Sequence, residues 1–326
     1  MLRDQYIRFM SRAVRPADYA KYNVVFNLLG IQLCRIGFYQ LKYRLRQTWY
    51  RAGSGTSGIA SPLSSQFERD GLVAVANFFD APTFDHFEQA YERIMMTLEY
   101  LPFRSGGFIR TVSISGLEDD KDKQFIYDLF TGHPLISQLV SHCLGRSKFR
   151  SPRVVLQDLY MPEGATDIGD SETELHADRL FHHPKLFFYV NPQNSENGAY
   201  IFAPRSHKYR NLWRLAYEYR LSVRAAFWKL RTRLNSIQPG ERYKSIYETP
   251  AHDLARMEVS PLSVEGGANT LVMSDNRGFH ARGLLQPGTV RRQVRIQYQY
   301  LVLPWYATLL LHFAAFFHPT TKRFYN

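Results

Sequence analysis

The chain has 326 residues, of which 45% are hydrophobic and 21% are charged, and this ordinary globular composition excludes a disordered chain and a fibrous repeat. Its two cysteines, Cys34 and Cys143, are too few for a disulfide scaffold or a cysteine-built zinc site, so we expect a reducing, cytoplasmic compartment. The formal net charge of +12 favours anionic partners such as phosphates, carboxylates or acidic lipid headgroups.

Residues 1–52 form a basic extension that is rich in aromatic side chains. Up to Arg51 they hold ten lysine and arginine side chains but only two acidic ones, Asp4 and Asp18. The apolar stretch 24–38 within them is shorter than the roughly 20 residues that cross a bilayer. The sequence therefore predicts a helical extension that either packs on the protein body or lies along a membrane surface.

A flexible linker is predicted over residues 53–65, which read GSGTSGIASPLSS and are rich in glycine and serine. After it we expect a short strand over 72–75 and a helix with apolar side chains at helical spacing. The apolar stripe of that helix comprises Phe84, Phe87, Tyr91, Ile94 and Met95. The main domain is therefore predicted over residues 66–303.

Short β-rich segments, separated by glycine and proline, fill most of the main domain. They read RTVSISGL, RVVLQDLYMP, KLFFYVNP, GAYIFAP, TLVMSDN and VRRQVRIQYQYLVL. Many short strands preceded by helices predict a mainly β, α+β architecture, namely an antiparallel sandwich or barrel with helical additions. Residues 209–235 have apolar side chains every three or four positions and predict a basic helical insert. An apolar helix and tail is predicted over 304–326, either buried against the core or lying in a membrane interface.

Candidate metal ligands occur in two segments, ELHADRL and TLVMSDNRGFHARG. In the first, His176 and Asp178 are two positions apart, and alternate side chains share a face on an extended backbone. In the second, a strand ending at Met273 or Ser274 leads to His280 in a nearby loop. Two histidines and one carboxylate form the facial triad with which non-haem iron(II) keeps open coordination positions.

An arginine follows the distal histidine at the start of a predicted strand. A guanidinium at Arg291 can bind the remote end of a dicarboxylate through two parallel hydrogen bonds. Alternation gives this strand one polar face, comprising Arg291, Gln293, Arg295 and Gln297. Such a face lines either a ligand-filled cavity or the solvated surface, and the sequence leaves both alternatives open.

The segment HADRLFHHPKLFFYVNPQNSENGAYIFAPRSHK resembles the phytanoyl-CoA dioxygenase family of iron(II)- and 2-oxoglutarate-dependent oxygenases. The matching positions are the pair His176 and Asp178, the turn 196–199, and the PRSHK motif at 204–208. The approach to His280 is also similar, although Asn269 stands where the family often has aspartate.

The resemblance covers roughly residues 66–300 and implies a double-stranded β-helix, a cupin-like jelly roll. It implies iron(II) as cofactor, held by His176, Asp178 and His280, with 2-oxoglutarate and O2 as co-substrates. Retention of Asp178 argues against halogenation, because halogenating members have a small residue there.

The co-substrate site is less fully specified. The resemblance assigns Arg291 to the remote carboxylate of 2-oxoglutarate, with Arg292 and Arg295 as close competitors. Gln157, on the strand before the metal pair, and Arg282, just after the distal histidine, are candidates for lining the co-substrate pocket.

The implied reaction oxidises, most simply hydroxylates, a C–H bond of a small molecule and releases succinate and CO2. The basic and aromatic segments favour a lipid-like or anionic substrate and peripheral contact with a membrane. Nucleic acid is not expected, because no nucleic-acid module is recognisable, and no oligomeric state is predicted. The alternative is a catalytically silent jelly roll that serves as a membrane-peripheral binding or scaffold protein.

Overall fold

The fold was analysed on a computed structural model of the chain. It describes residues 45, 48, 62–103, 106–116, 118–145, 149, 151–165, 171–177, 182–208, 212–218, 220, 249 and 251–298. Most of the predicted N-terminal extension, most of the predicted insert and the whole predicted C-terminal helix lie outside these residues. Residues 45–213 and 247–299 belong to one compact unit, which holds every element named below.

The helices and strands of this unit alternate along the chain as short elements. The helices are α1 Pro62–Asp70, α2 Ala81–Met96, α3 Lys121–Thr131, α4 Pro134–Leu144 and α5 Ala251–Arg256, with a 3-10 turn at Ser171–Thr173. The strands are β1 Leu72–Val75, β2 Leu101–Pro102, β3 Phe108–Ile114, β4 Arg153–Tyr160, β5 Pro184–Tyr189, β6 Tyr200–Phe202, β7 Leu262–Val264, β8 Thr270–Asp275, β9 His280–Arg282 and β10 Val290–Gln297.

One sheet carries most of the strands that the structure describes. Its seven strands lie in the order β1-β8-β5-β10-β4-β3-β2, and the neighbouring pairs are antiparallel. The second sheet has three strands in the order β7-β6-β9. Side chains of the two sheets meet in one apolar cluster, which includes Phe187 and Val272 from the large sheet and Tyr200 and Val264 from the small one. Two facing antiparallel sheets with added helices confirm the predicted jelly roll.

The outer face of the large sheet packs against helices. The ring of Phe188 in β5 contacts aromatic rings on two helices: its centroid lies 5.1 Å from that of Phe87 in α2 and 5.2 Å from that of Phe130 in α3. The helix α2 forms as predicted, because Asp80 caps its N-terminus through the amide of Thr83 and its apolar stripe is buried except for the partly exposed Phe84.

Side-chain alternation then assigns the remaining residues to the inner face of the sheet. Phe187 and Tyr189 flank Phe188 in β5, and therefore face the small sheet. Tyr189 donates a hydrogen bond across the gap to the carbonyl oxygen of Val264, at 2.7 Å. The inner face, between the two sheets, is where a jelly roll holds a ligand.

Two features differ from the sequence-based predictions. The helix α1 begins at Pro62, so the predicted linker ends in the first turn of a helix. The helices α3 and α4 lie in a stretch for which the sequence analysis predicted no element. Among the helices that the structure describes, none is both long and apolar enough to cross a bilayer.

Candidate metal and co-substrate site

The two predicted metal-binding histidines lie opposite each other. His176 and His280 form an antiparallel bridge, in which each backbone N–H donates to the carbonyl oxygen of the other, at 2.9 and 2.8 Å. Directly opposite residues in such a pair point their side chains to the same face. Their imidazole centroids are accordingly 4.6 Å apart. His280 opens strand β9 and does not lie in a loop, which corrects the sequence-based expectation.

Both imidazoles are oriented by backbone carbonyl groups. The Nδ1 atom of His176 lies 2.7 Å from the carbonyl oxygen of Glu174, and that of His280 lies 3.0 Å from the carbonyl oxygen of Gly278. A carbonyl oxygen only accepts, so Nδ1 carries the proton in both rings and Nε2 keeps its lone pair. This is how proteins fix the tautomer of metal-binding histidines, and the two side chains therefore fit a metal ion.

A polar network meets the Nε2 atom of His280. The amide nitrogen of Asn276 lies 3.1 Å from this atom, while its amide oxygen accepts from the Ser274 hydroxyl at 2.8 Å and from the Tyr200 hydroxyl at 3.3 Å. All these groups are buried. Coordination of a metal by His280 would replace the hydrogen bond from Asn276.

The predicted carboxylate ligand, Asp178, lies outside the described residues. Within the described part of the chain, no group of three or more His, Cys, Asp or Glu side chains has an arrangement that could hold a metal ion. The structure therefore brings together the two histidines of the predicted triad and leaves the third ligand as a prediction.

Arg291 lies on the inner face of the large sheet. Its neighbour two positions along, Gln293, is the cross-strand partner of inward-facing Tyr189, and alternation gives Arg291 the same direction. The guanidinium is buried and donates from Nη1 to the carbonyl oxygen of Gly198, at 2.8 Å. Burial raises the pKa of Tyr189, and the positive charge of Arg291 opposes that rise only in part. The phenol of Tyr189 therefore stays neutral.

The two competitors of Arg291 have different surroundings. Arg292 points to the outer face, where it pairs with Glu92 of α2, stacks over Tyr91 at 5.3 Å and lies 3.6 Å from Asp158. It is thereby excluded from the inner face. Arg295 faces inward with Arg291 and is the cross-strand partner of Phe187.

The two predicted lining residues also reach the inner face. Gln157 of β4 accepts a hydrogen bond at its side-chain oxygen from the amide of Gln293, at 2.8 Å. Arg282 is buried on the same side of β9 as His280, and its Nη1 donates to the Gly283 carbonyl oxygen at 3.3 Å.

A buried carboxylate beside the site was missed by the sequence analysis. The side chain of Asp275 is hydrogen-bonded to Nδ1 of His182 and accepts from the backbone N–H groups of His183, at 3.0 Å, and Arg277, at 3.1 Å. Burial alone would raise the pKa of Asp275, but the charge and hydrogen bond of His182 and the hydrogen bond from the His183 amide outweigh it and hold this pKa below its usual range.

The PRSHK segment supports the turn that precedes His280. The Ser206 hydroxyl accepts from the backbone N–H of Phe279, at 2.8 Å, and the His207 carbonyl oxygen accepts from the Arg277 guanidinium. Both residues are buried, and their contacts give this segment a structural role.

Comparison with known proteins places the chain in a family. The family model for phytanoyl-CoA dioxygenase (PhyH) matches residues 67–237, more than half of the 326 residues. No curated protein matches the sequence.

Several solved structures are similar to this chain. The epimerase SnoN, in complex with Fe3+, alpha ketoglutarate and nogalamycin RO, is 17% identical with a TM-score of 0.50, over 73% of this chain and 82% of SnoN. EctD from S. alaskensis with bound Fe is 13% identical with a TM-score of 0.45, over 77% of this chain and 81% of EctD. A Pseudomonas putida prolyl-4-hydroxylase is 12% identical with a TM-score of 0.43, over 75% of this chain and 100% of the hydroxylase. The likeness to SnoN is one of fold, and the family match goes further: this chain belongs to the phytanoyl-CoA dioxygenase family of iron(II)- and 2-oxoglutarate-dependent oxygenases.

Proposed function

We propose that this protein hydroxylates a C–H bond of a small molecule at the inner face of its jelly roll. The facing pair His176 and His280, with protonated Nδ1 atoms bonded to carbonyl oxygens, is the observation that carries the proposal. Iron(II) bound there supplies the activation of O2 through which 2-oxoglutarate becomes succinate and CO2 while the substrate C–H bond becomes an alcohol.

The chain's own residues divide the work of binding. His176 and His280 donate their Nε2 lone pairs to the metal, and Asp178 is the proposed third ligand. Arg291 pairs with the remote carboxylate of 2-oxoglutarate, since a buried guanidinium forms strong paired hydrogen bonds to a carboxylate. Gln157 and Arg282 line the pocket in which that carboxylate sits.

We infer that the substrate carries an anionic group, a carboxylate or a phosphate. The ammonium group of Lys185 lies 5.5 Å from the ring centroid of Phe187. The Phe187 and Tyr200 ring centroids are 4.6 Å apart, and the Tyr200 and His280 ring centroids are 5.8 Å apart. A positive charge on the inner face, to which the histidine pair also points, supports binding of an anion on that face. Arg295 faces the same side and adds a second positive charge.

Anaerobic titration with iron(II) and 2-oxoglutarate tests the catalytic proposal. A weak visible charge-transfer band should develop with the wild-type protein and be abolished by His176→Ala. His86→Ala is the matched control, because His86 is exposed on α2 and stacks on Phe125, at 4.2 Å. The same absence of a band in the wild-type protein and in His176→Ala would favour the catalytically silent alternative.

An untargeted metabolite comparison tests the substrate class. Cells that express His176→Ala should accumulate an anionic small molecule relative to cells with the wild-type protein. Accumulation of a neutral or cationic molecule would contradict the role of Lys185 and Arg295.

Peripheral membrane contact remains part of the proposal through the basic residues of the N-terminal extension. Flotation with anionic liposomes, compared with and without residues 1–51, is the direct measurement. Loss of flotation on truncation is expected, and equal flotation of both forms would contradict it.

A further inference from the structure

We propose that Asp275 is a positioning residue which clamps the turn that leads to His280 to residues 182–183, which follow the segment of His176 in the chain. The inference rests on the proposed metal site at His176 and His280. Asp275 touches neither His176 nor His280 in the described contacts, so it acts through the turn that leads to His280 and through residues 182–183.

One carboxylate contacts residues 182–183 and the turn that leads to His280. Its Oδ2 is bonded to Nδ1 of His182 and its Oδ1 accepts from the His183 N–H at 3.0 Å, in the segment that follows the HAD motif. The same Oδ1 accepts from the Arg277 N–H at 3.1 Å, in the turn that leads to His280. A buried carboxylate that accepts three such bonds fixes the geometry of every donor it touches.

Backbone contacts reinforce the clamp. The Asn276 N–H donates to the His183 carbonyl oxygen, at 2.9 Å, and the Gly278 N–H donates to the Asp275 carbonyl oxygen, at 2.8 Å. Asn276 then reaches the His280 ring through its side chain. A displacement of the 182–183 segment is therefore transmitted to the turn that sets the direction of His280.

Burial gives the clamp its strength. Asp275 is 1% exposed and His182 is 6% exposed, so water cannot replace a lost partner at low cost. Loss of the clamp should weaken metal binding, because mutation of residues that orient metal ligands typically changes metal affinity by about 10–100-fold.

Cobalt(II) titration under oxygen-free conditions, followed by visible absorption, measures the effect. Asp275→Ala and His182→Ala should weaken cobalt binding by about 10–100-fold. His182→Asn should restore near wild-type affinity, because its side-chain amide offers a donor at the position of Nδ1. Asp158→Asn is the matched control: Asp158 is equally buried but lies on the outer face, so its substitution should leave cobalt affinity unchanged.

Amide hydrogen exchange of the metal-free protein gives a readout that needs no metal. Exchange at His183 and Arg277 should rise in Asp275→Ala, and circular dichroism identifies which variants are folded. If Asp275→Ala does not fold, the pair His182→Ala and His182→Asn carries the test.

The outcomes separate the two proposals. Wild-type affinity of folded Asp275→Ala or His182→Ala for cobalt, or equal losses in His182→Ala and His182→Asn, would overturn the clamp. If the wild-type protein binds no cobalt, the proposed metal site is rejected instead. In that case, unchanged amide hydrogen exchange at His183 and Arg277 in Asp275→Ala or His182→Ala would reject the clamp independently.

Discussion

Arg291 and Arg292 are neighbours in the chain whose guanidinium groups lie on opposite faces of the large sheet. Arg291 points between the sheets and donates to the Gly198 carbonyl oxygen. Arg292 points to the helices and pairs with Glu92. Because successive side chains in a strand alternate, one position separates the ligand-binding role proposed for Arg291 from the structural role of Arg292.

Substitution of these two arginines should therefore have different consequences. Arg291→Gln should raise the KM for 2-oxoglutarate by roughly 10- to 100-fold, since hydrogen bonds to charged groups contribute about 1.5–3 kcal/mol. Metal affinity should change little. Arg292→Gln is the control and should lower the free energy of unfolding while leaving that KM unchanged. Steady-state kinetics with varied 2-oxoglutarate decide the matter, and equal rises of KM in both variants would count against the assignment.

Asp158 is the carboxylate that organises the outer face. It accepts from the Tyr91 hydroxyl at 2.6 Å and from Arg110 at 2.7 Å, and its side chain is fully buried. Removing one partner from a buried charge pair leaves the others uncompensated, so Asp158→Asn should lower the free energy of unfolding by about 3 kcal/mol.

A surface ion pair provides the control for that loss. Arg93 pairs with Asp122 at 2.7 Å, but the arginine side chain is 53% exposed. Arg93→Gln should therefore cost less than about 1 kcal/mol. Urea unfolding measures both values. A similar loss of unfolding free energy in Asp158→Asn and Arg93→Gln would mean that the buried charge pair stabilises the fold no more than the exposed one.

Local periodicity predicted several features of the fold correctly. The strand at 72–75 and the stripe of α2 were both predicted, since a short β-branched run and a 3.6-residue period are properties of the segment itself. The alternation of β10 predicted a polar face. Which face of β10 lies between the sheets depends on its position between β4 and β5 in the large sheet. A local sequence pattern cannot specify that position.

Other features depended on signals that were present but not used. Asp120 caps α3 through the amides of Asp122 and Lys123, and Gly145 ends α4 in the left-handed conformation, so both helices carry ordinary boundary signals. The contact of Asp275 with His182 is different, because it requires the pairing of β8 with β5. Sequence spacing cannot specify such a pairing.

Asn269 illustrates a departure from the family pattern that the structure explains. It adopts a φ of 60°, which asparagine tolerates better than most residues. Its side-chain oxygen accepts from the Phe79 N–H, at 2.9 Å, and its side-chain nitrogen donates to the Phe79 carbonyl oxygen, at 2.7 Å. An ionised aspartate has no donor for the second bond.

His207 should make the stability of the fold depend on pH. Burial lowers its pKa from 6.5 to about 3, with the charges of His182, Lys208 and Arg277 adding to this and that of Asp275 opposing it. The ring is therefore neutral in the folded protein, and Nε2 donates to the Glu68 carbonyl oxygen at 3.2 Å.

The sign follows from the protons bound in each state. Between about pH 6.5 and about pH 3 the unfolded chain binds a proton at His207 that the folded chain does not, so this contribution is complete above pH 6.5 and lost as the pH falls towards 3. His207→Gln keeps a donor for Glu68 but cannot titrate, and the free energy of unfolding should then fall less steeply, by up to about 1.4 kcal/mol per pH unit. Urea unfolding at several pH values tests this, and parallel curves for the two proteins would contradict it.

The backbone of Gly198 contacts Arg291, the residue proposed to bind 2-oxoglutarate. Gly198 has a φ of 77°, and an added Cβ would lie 2.5 Å from Cδ1 of Leu285 and 3.0 Å from the Gly283 carbonyl oxygen. Gly164 is the control, since it has the same φ of 77° but no atom within 4 Å of an added Cβ. Gly164→Ala should lower the free energy of unfolding only by the conformational strain of about 1–2 kcal/mol. Gly198→Ala should lower it more. It should also raise the KM for 2-oxoglutarate, because the Gly198 carbonyl oxygen accepts a hydrogen bond from Arg291. Thermal unfolding and kinetics of both variants would show the difference, and an unchanged KM in folded Gly198→Ala would mean that this carbonyl does not orient Arg291.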